Sequence, residues 1–198
     1  MCAIFFRFYS YSKRQNFKSD SESYIVFVED HDLNLCWQND LTTMNLTEQM
    51  AKQFRELYWG GNWTGVSLME NLADVDWQHA TTKVHSFNTI AALVHHMNFY
   101  VTAVITVLGG EPLTASDKYS FDHPAILSPD DWKKLLDKTG VDAEQFARMV
   151  EQLPEGKLWE SFADGKYGNY YRNIQGVIEH THYHLGQIIL IKKMIQSD

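Results

Sequence analysis

Hydrophobic side chains recur at helical spacing from about residue 44 onward. Intervals of 4, 4 and 3 residues separate the first members of this pattern, Leu46, Met50, Phe54 and Leu57. This spacing puts them on one face of a helix. Just before them, Asn45 is followed three residues later by Glu48, which is the spacing of a capping box with Asn in place of Ser or Thr. The pattern therefore predicts a first helix that begins near residue 45.

Two longer helices are predicted by the same criterion. One spans about 88–108 and ends at the helix-breaking pair Gly109 and Gly110. The other spans about 170–196, where Lys192 and Lys193 suit the negative end of the helix dipole. The hydrophobic stripes are Ile90, Leu93, Met97, Val101, Val104 and Leu108 in the first, and Val177, Thr181, Ile188, Ile191 and Ile195 in the second.

The remaining segments alternate between helices and loops. A short helix is expected at about 67–73, and residues 129–152 are expected to be helical in one or two pieces, hinged near Gly140. Ser128 and Pro129 suit the start of that helix, because Ser caps helices and Pro is tolerated in the first turn. Four long amphipathic helices with hardly any strand signal predict an all-α protein. An antiparallel four-helix bundle is the simplest such architecture.

Residues 1–43 differ from everything that follows, because they lack a helical period. Residues 24–28 are aromatic and β-branched, which predicts a short strand. We expect residues 1–43 to be an N-terminal extension. It is either an appendage containing that strand or the result of a start codon placed too early, since Met44 could itself start translation. The helical domain then occupies residues 44–198.

Both cysteines, Cys2 and Cys36, lie in this extension. A secreted disulfide scaffold would spread its cysteines along the chain, so two free thiols in a reducing cytoplasm are the simpler interpretation. The short apolar start, residues 1–8, also lacks the basic leader and the length of a signal peptide. We therefore expect a cytoplasmic protein.

The composition argues against several classes of function. The 198-residue chain carries 17 Lys and Arg against 25 Asp and Glu, a net charge of −8, with no basic run. We therefore expect no nucleic-acid partner. Apolar residues make up 44% of the chain, enough for a sizeable core. The longest apolar stretch, residues 101–108, has eight residues and is interrupted by two Thr. It is far shorter than the ~18 residues of a membrane span, so no membrane association is expected.

The candidate chemistry lies in the nine histidines, of which five fall in two clusters, each inside a predicted long helix. His180 and His184 are one turn apart and about 40° apart around the helix, on the side of its hydrophobic stripe. His182 is about 200° from His180 and points outward. A pair at i and i+4 can hold one metal ion, although Thr181 stands where zinc proteases carry their general-base Glu. A catalytic zinc-type site adds a third protein ligand.

The other predicted helix supplies that third ligand. His96 shares its face with apolar and aromatic residues, whereas His95 aligns with the more polar Asn98 and Thr102. His96 is therefore the core-facing candidate and His95 the surface one. A single core histidine is usually a hydrogen-bonded structural residue. Three buried imidazoles, however, would be costly unless a metal or a hydrogen-bond network satisfies them.

Neighbouring residues allow more than one interpretation. Gly186 is most simply a close contact between helices. Gln187 either orients a ligand histidine or is only a polar residue of the bundle. An aromatic cluster, Tyr167, Tyr170 and Tyr171, fits the mouth of a pocket or packing at the start of a helix, and the sequence leaves both open.

Three segments resemble one known family. The segment His180-x-x-x-His184-Leu-Gly-Gln187 looks like the last-helix signature of the DinB-like metalloprotein superfamily. Residues 88–100 look like that family's apolar helix, which ends in a ligand histidine. Residues 117–124, Asp-Lys-Tyr-Ser-Phe-Asp-His-Pro, resemble a stretch found in one branch of the family. The resemblance covers about residues 44–196.

The resemblance implies a four-helix bundle, commonly a homodimer, with a divalent metal held by His96, His180 and His184. Zn²⁺ suits such a site best, with Ni, Fe or Mn as alternatives. Members of the family are described as metal-dependent hydrolases acting on small molecules. Some branches are thiol S-transferases, which bring a low-molecular-weight thiol to an electrophile.

Two hypotheses about function follow. In the first, the protein is a metal-dependent enzyme, a hydrolase or an S-transferase, whose cation lowers the pKa of a water or a thiol. Its general base is not identifiable from the sequence. In the second, the protein is a non-catalytic metal-binding or interaction bundle, and the metal only ties two helices together.

Overall fold

The computed structural model describes residues 44–196, which form an all-α protein. Its helices are α1 (Leu46–Trp59), α2 (Leu68–Leu72), α3 (Trp77–Thr81), α4 (Ile90–Leu108), α5 (Pro129–Glu151) and α6 (Tyr170–Gln196), with 3-10 turns at Asp117–Tyr119 and Glu155–Trp159. Across residues 44–196 no β-strand occurs, only an isolated bridge between Ser161 and Asn169. The predicted all-α class is confirmed for this part of the chain. The predictions for residues 1–43, including the strand and the two thiols, lie outside the described residues.

The predicted helix starts are confirmed by their caps. Asn45 and Glu48 form a reciprocal capping box at the start of α1. The side chain of Thr89 accepts a hydrogen bond from a backbone N–H at the start of α4. Ser128 does the same for α5, with Pro129 in the first turn. Each cap satisfies one of the backbone donors that a helix start leaves without a partner.

Two helices differ from their predictions. α5 runs without interruption through Gly140, so the predicted hinge is wrong; one glycine lowers helix stability but leaves the backbone hydrogen bonds intact. α3 was not predicted, because five residues are too few to show a hydrophobic period. Asp76 caps it by accepting a hydrogen bond from the backbone N–H of His79 at 2.7 Å.

The four long helices enclose the core, since α1 and α4 each contact both α5 and α6. The ring of Phe54 packs at 4.7 Å from that of Tyr58 and at 4.4 Å from that of Phe146, and all three are fully buried. The segment with α2 and α3 is tied to this core by Trp132, whose Nε1 donates to the carbonyl of Val75 at 2.7 Å. Lys192 fixes the end of α6 by donating to the carbonyl of Asn71 at 2.9 Å.

Helix α4 is more apolar over its whole length than its longest apolar stretch, residues 101–108, suggests. By length and composition alone, Ile90–Leu108 could cross a membrane, with a mean hydropathy of 1.5. The prediction that no segment approaches this length is therefore wrong, because a count of uninterrupted apolar residues overlooks a helix with interspersed Thr and His. Inside the protein 61% of the window is buried, as for a core helix. α4 and α6 pack against each other, which brings their histidines together.

A substitution at Gly140 tests the continuity of α5. We expect Gly140→Ala to raise the free energy of unfolding by roughly 0.5–1 kcal/mol, because Ala is favoured over Gly inside a helix. The new methyl group would meet only the flexible end of Met69, whose Cε lies 3.4 Å from the Cβ position. Urea unfolding followed by circular dichroism measures the change. Gly110→Ala is the control and should destabilise, because Gly110 has a φ of 88°. A hinge would make both variants destabilising.

Candidate metal centre

Three imidazole rings converge where α4 crosses α6. The Nε2 atom of His180 lies 3.1 Å from Nε2 of His96 and 2.9 Å from Nε2 of His184. The ligand nitrogens of all three lie within 4.8 Å of one another. His96 and His184 are buried, and His180 is half-buried. Two helices far apart in sequence thus supply three nitrogen ligands to one point, and these three side chains could hold a metal ion.

The arrangement matches a cation better than a hydrogen-bond network. A tetrahedral zinc site with Zn–N bonds of about 2.0–2.1 Å puts its ligand nitrogens about 3.3 Å apart, close to the two short distances here. Nε2 of His180 faces two nitrogens but has at most one proton to donate, so both contacts cannot be normal hydrogen bonds. A cation that accepts the three lone pairs satisfies all three rings. The donor set is neutral nitrogen, which suits Zn²⁺ and other divalent transition metals.

Gln187 orients one of the rings. Its Oε1 accepts a hydrogen bond from Nδ1 of His184 at 2.7 Å, and this leaves the Nε2 lone pair of His184 facing the other two histidines. The alternative that Gln187 is merely a polar bundle residue is therefore not supported. His96 lacks such a partner: its buried Nδ1 makes no hydrogen bond within residues 44–196. The backbone of Ser120 nevertheless lies close enough to favour the protonated form of His96, which opposes the effect of burial on its pKa.

All three rings are held in the neutral form that metal binding requires. Burial, together with the nearby His184, lowers the pKa of His96 to about 4. Burial likewise lowers the pKa of His180 to about 4, helped by both neighbouring histidines. Burial also lowers the pKa of His184. At neutral pH the cluster therefore offers lone pairs rather than positive charge.

Aromatic rings and a carboxylate surround the cluster. The ring of Phe121, in the loop before α5, stacks on His96 at a centroid distance of 3.9 Å. The ring of Tyr100 meets His180 edge-on at 4.7 Å. The Tyr100 hydroxyl donates to the Asp117 carboxylate. Asp117 is close enough for its charge to favour the protonated forms of both His96 and His180.

Tyr100 and Asp117 are the functional candidates that sequence reasoning missed. Burial and the neighbouring carboxylate raise the pKa of Tyr100 to about 12, and the Tyr100 hydroxyl lowers the pKa of Asp117. The pair is therefore a neutral phenol bound to a carboxylate. Tyr100 stands one helical turn after His96, a spacing visible in the sequence. Nothing in the sequence connects it to Asp117, which lies in a loop 17 residues away.

A cavity of about 450 Å³ opens beside the cluster, with His180 and Tyr100 in its wall. A small molecule can therefore approach the three histidines. A larger cavity of about 770 Å³ lies farther along α4 and is lined by none of the three. Tyr167 lines both cavities, and Tyr170 lines the larger one while packing against Phe162. The tyrosine cluster thus combines the two interpretations, a cavity wall and packing at the start of a helix.

The other histidines of the two helices stay outside the cluster. His95, predicted at the surface, is half-buried because it packs beside His123, with ring centroids 5.9 Å apart. His182 points away from the cluster and its Nδ1 lies 3.2 Å from the carbonyl of Ile178. The interpretation of Gly186 as a close helix contact is wrong for the described helices, because a Cβ there would meet no atom of residues 44–196 within 4 Å.

No family model, curated protein or solved structure matches this chain. The DinB-like resemblance therefore stays a prediction, and the functional argument rests on the residues of the site.

Loss of any one ring should empty the site. Purified without a nickel column, the protein should contain roughly one equivalent of a divalent transition metal per chain. We expect His96→Ala, His180→Ala and His184→Ala each to retain less than about half an equivalent, because two imidazoles bind weakly. Mass spectrometry of the digested protein measures the metal content.

His95→Ala is the matched control, since it removes an imidazole next to His96 from outside the cluster. It should keep the wild-type metal content, whereas Gln187→Leu should weaken metal binding about 10–100-fold by releasing His184. A wild-type protein without metal, or unchanged metal in His180→Ala, would contradict the assignment.

Proposed function

We propose that the protein is a divalent-metal-dependent enzyme, an S-transferase or a hydrolase that acts on a small molecule. The observation that carries this proposal is the open cavity beside three neutral, converging imidazoles. We further propose that the helices form an antiparallel four-helix bundle of the DinB-like type. The contacts of α1 and α4 with both α5 and α6 support this architecture.

His96, His180 and His184 would hold the cation, with Zn²⁺ as the first choice and Ni, Fe or Mn as alternatives. When bound, the cation lowers the pKa of a water or of a low-molecular-weight thiol, so that either can act as a nucleophile at neutral pH. The half-buried position of His180 leaves one side of the cluster facing the cavity. Phe121 covers the His96 side and keeps water from it.

Tyr100 and Asp117 would orient the incoming nucleophile. The Asp117 carboxylate holds the Tyr100 hydrogen, so the lone pairs of the phenol oxygen can accept a hydrogen bond from an incoming thiol or water. Asp117 acts through Tyr100 and is a positioning residue. Because the pKa of Asp117 is lowered, the pair keeps this arrangement across the neutral range.

The second hypothesis is a bundle in which the metal only ties α4 to α6. The location of the ligands on two helices supports it as well. A metal that only ties two helices together requires neither the cavity nor the Tyr100–Asp117 pair, and for that reason we favour an enzyme. The absence of a nucleic-acid or membrane partner and a cytoplasmic location stay predictions.

A chelator separates the two functions. The metal-loaded protein should transfer a thiol to an aryl halide or hydrolyse a nitrophenyl ester, lose this activity with a chelator and regain it with Zn²⁺. Asp117→Asn should lower kcat at least about tenfold, because the Tyr100 hydroxyl exchanges a charged carboxylate acceptor for a weaker, neutral amide oxygen. Initial rates at several pH values measure both effects.

Asp122→Asn is the control for charge, since it removes an exposed carboxylate from the same loop. It should leave kcat unchanged. No activity in either assay, together with a melting temperature that falls on chelation, would instead establish the structural role.

We also propose a homodimer built on the exposed face of α6. Tyr183 and Leu190 are 64% and 61% exposed, large apolar side chains on one side of the helix. Gly186 lies between them and leaves room for a second chain. Burial of such side chains is favourable in an interface.

Light scattering tests this assembly. The measured mass should be twice the 23.0 kDa of the chain. The double variant Tyr183→Glu with Leu190→Glu should be monomeric. Leu127→Glu introduces one such negative charge at a loop position that is 74% exposed and should leave the dimer intact. A monomeric wild type would rule the dimer out.

A further inference from the structure

The cavity beside His180 extends along α6 toward the start of that helix. Arg172, Gly176 and His180 follow one another at intervals of one turn, and all three line the cavity. A Cβ at Gly176 would meet no atom within 4 Å, so the wall stays open between the other two. Arg172 stands eight residues before His180, about 12 Å along the helix axis.

The far end of the cavity is positively charged. Lys166 and Arg172 both line it, and none of its lining residues within 44–196 is acidic. The first turn of α6, which begins at Tyr170, adds the positive end of a long helix dipole. This concentration of positive charge contrasts with the chain as a whole, whose net charge is −8.

Neither cation has a carboxylate partner among residues 44–196. Most Lys and Arg side chains of this region pair with an acid, as Arg55 does with Glu144 and Glu151. The acid nearest to Lys166 in sequence, Asp164, accepts from the backbone N–H of Lys166 at 3.0 Å.

The side chain of Arg172 lies close to Gly168. Gly168 has a φ of 84°, and a Cβ there would lie only 3.0 Å from Cδ of Arg172. The missing side chain at Gly168 therefore lets Arg172 lie against the backbone of the loop. Asn173 holds that loop by donating to the carbonyl of Tyr167 at 3.0 Å.

We propose that this cavity selects anionic small molecules, with a carboxylate or phosphate between Lys166 and Arg172 and the reacting end at His180. The inference rests on the proposed function, since it assigns the substrate class of the same site. Guanidinium and ammonium groups are the side chains best suited to oxyanions, and Arg binds them with two parallel hydrogen bonds. The spacing requires several bonds between the two ends of the ligand.

Two matched thiols test the proposal by isothermal titration calorimetry. Mercaptohexanoate and mercaptohexanol have the same chain length and differ in the end opposite the thiol, which is a carboxylate or a hydroxyl. The metal-loaded protein should bind the carboxylate about tenfold more tightly, and this ratio should fall in high salt. In the double variant Lys166→Gln with Arg172→Gln the ratio should drop below about twofold.

The double variant Lys133→Gln with Lys134→Gln is the control, because it removes the same charge from exposed positions on α5. It should keep the wild-type ratio. Competition by inorganic phosphate against acetate shows which oxyanion the site prefers. Titration of the metal-free protein separates this proposal from the proposed enzyme function. A protein that binds no metal refutes the enzyme function. The affinity ratio of the two thiols, measured without metal, still decides whether the cavity selects anions. A ratio near one in the wild type overturns the anionic substrate class.

Discussion

The site depends on one constraint. Three imidazole nitrogens are held about as close to one another as the ligand atoms of a single metal ion are. Neutral lone pairs at 2.9 and 3.1 Å do not satisfy one another, and burial opposes protonation as a remedy. The packing of α4 against α6 enforces this proximity. His184 is further fixed by Gln187. The packing of the helices therefore holds the three rings in an unfavourable arrangement, and binding of a cation would offset that free-energy cost.

The surroundings of the three rings differ from side to side, and this asymmetry gives the site its chemical character. Phe121 covers His96, whereas His180 faces a cavity. The Tyr100–Asp117 pair stands at the rim of that cavity, and cationic side chains stand at its far end. A purely structural metal site would gain nothing from an open, charged approach on one side, so the asymmetry favours a ligand-binding role.

Local signals predicted the helices well where they are encoded by neighbouring residues. The capping box at Asn45 and the cap at Ser128 depend on contacts within one turn, so the sequence contains all the necessary information. The hinge at Gly140 was wrong because packing of α5 on both sides outweighs the weak helix propensity of one glycine. α3 escaped notice because a single turn has no period, and α4 proved more apolar than a run count suggested.

The sequence by itself determined the all-α class and the three histidines that meet, because helical spacing tells which side chains share a buried face. It chose His96 over His95 on that basis, and His96 is the one that contacts the pair on α6. Only the tertiary structure joined Tyr100 to Asp117, and placed Lys166 in one cavity with Arg172 and His180 of α6. These contacts connect loops to helices, and the hydrophobic period of the sequence does not indicate where a loop folds back. The long-range packing of the helices determines the position of each loop.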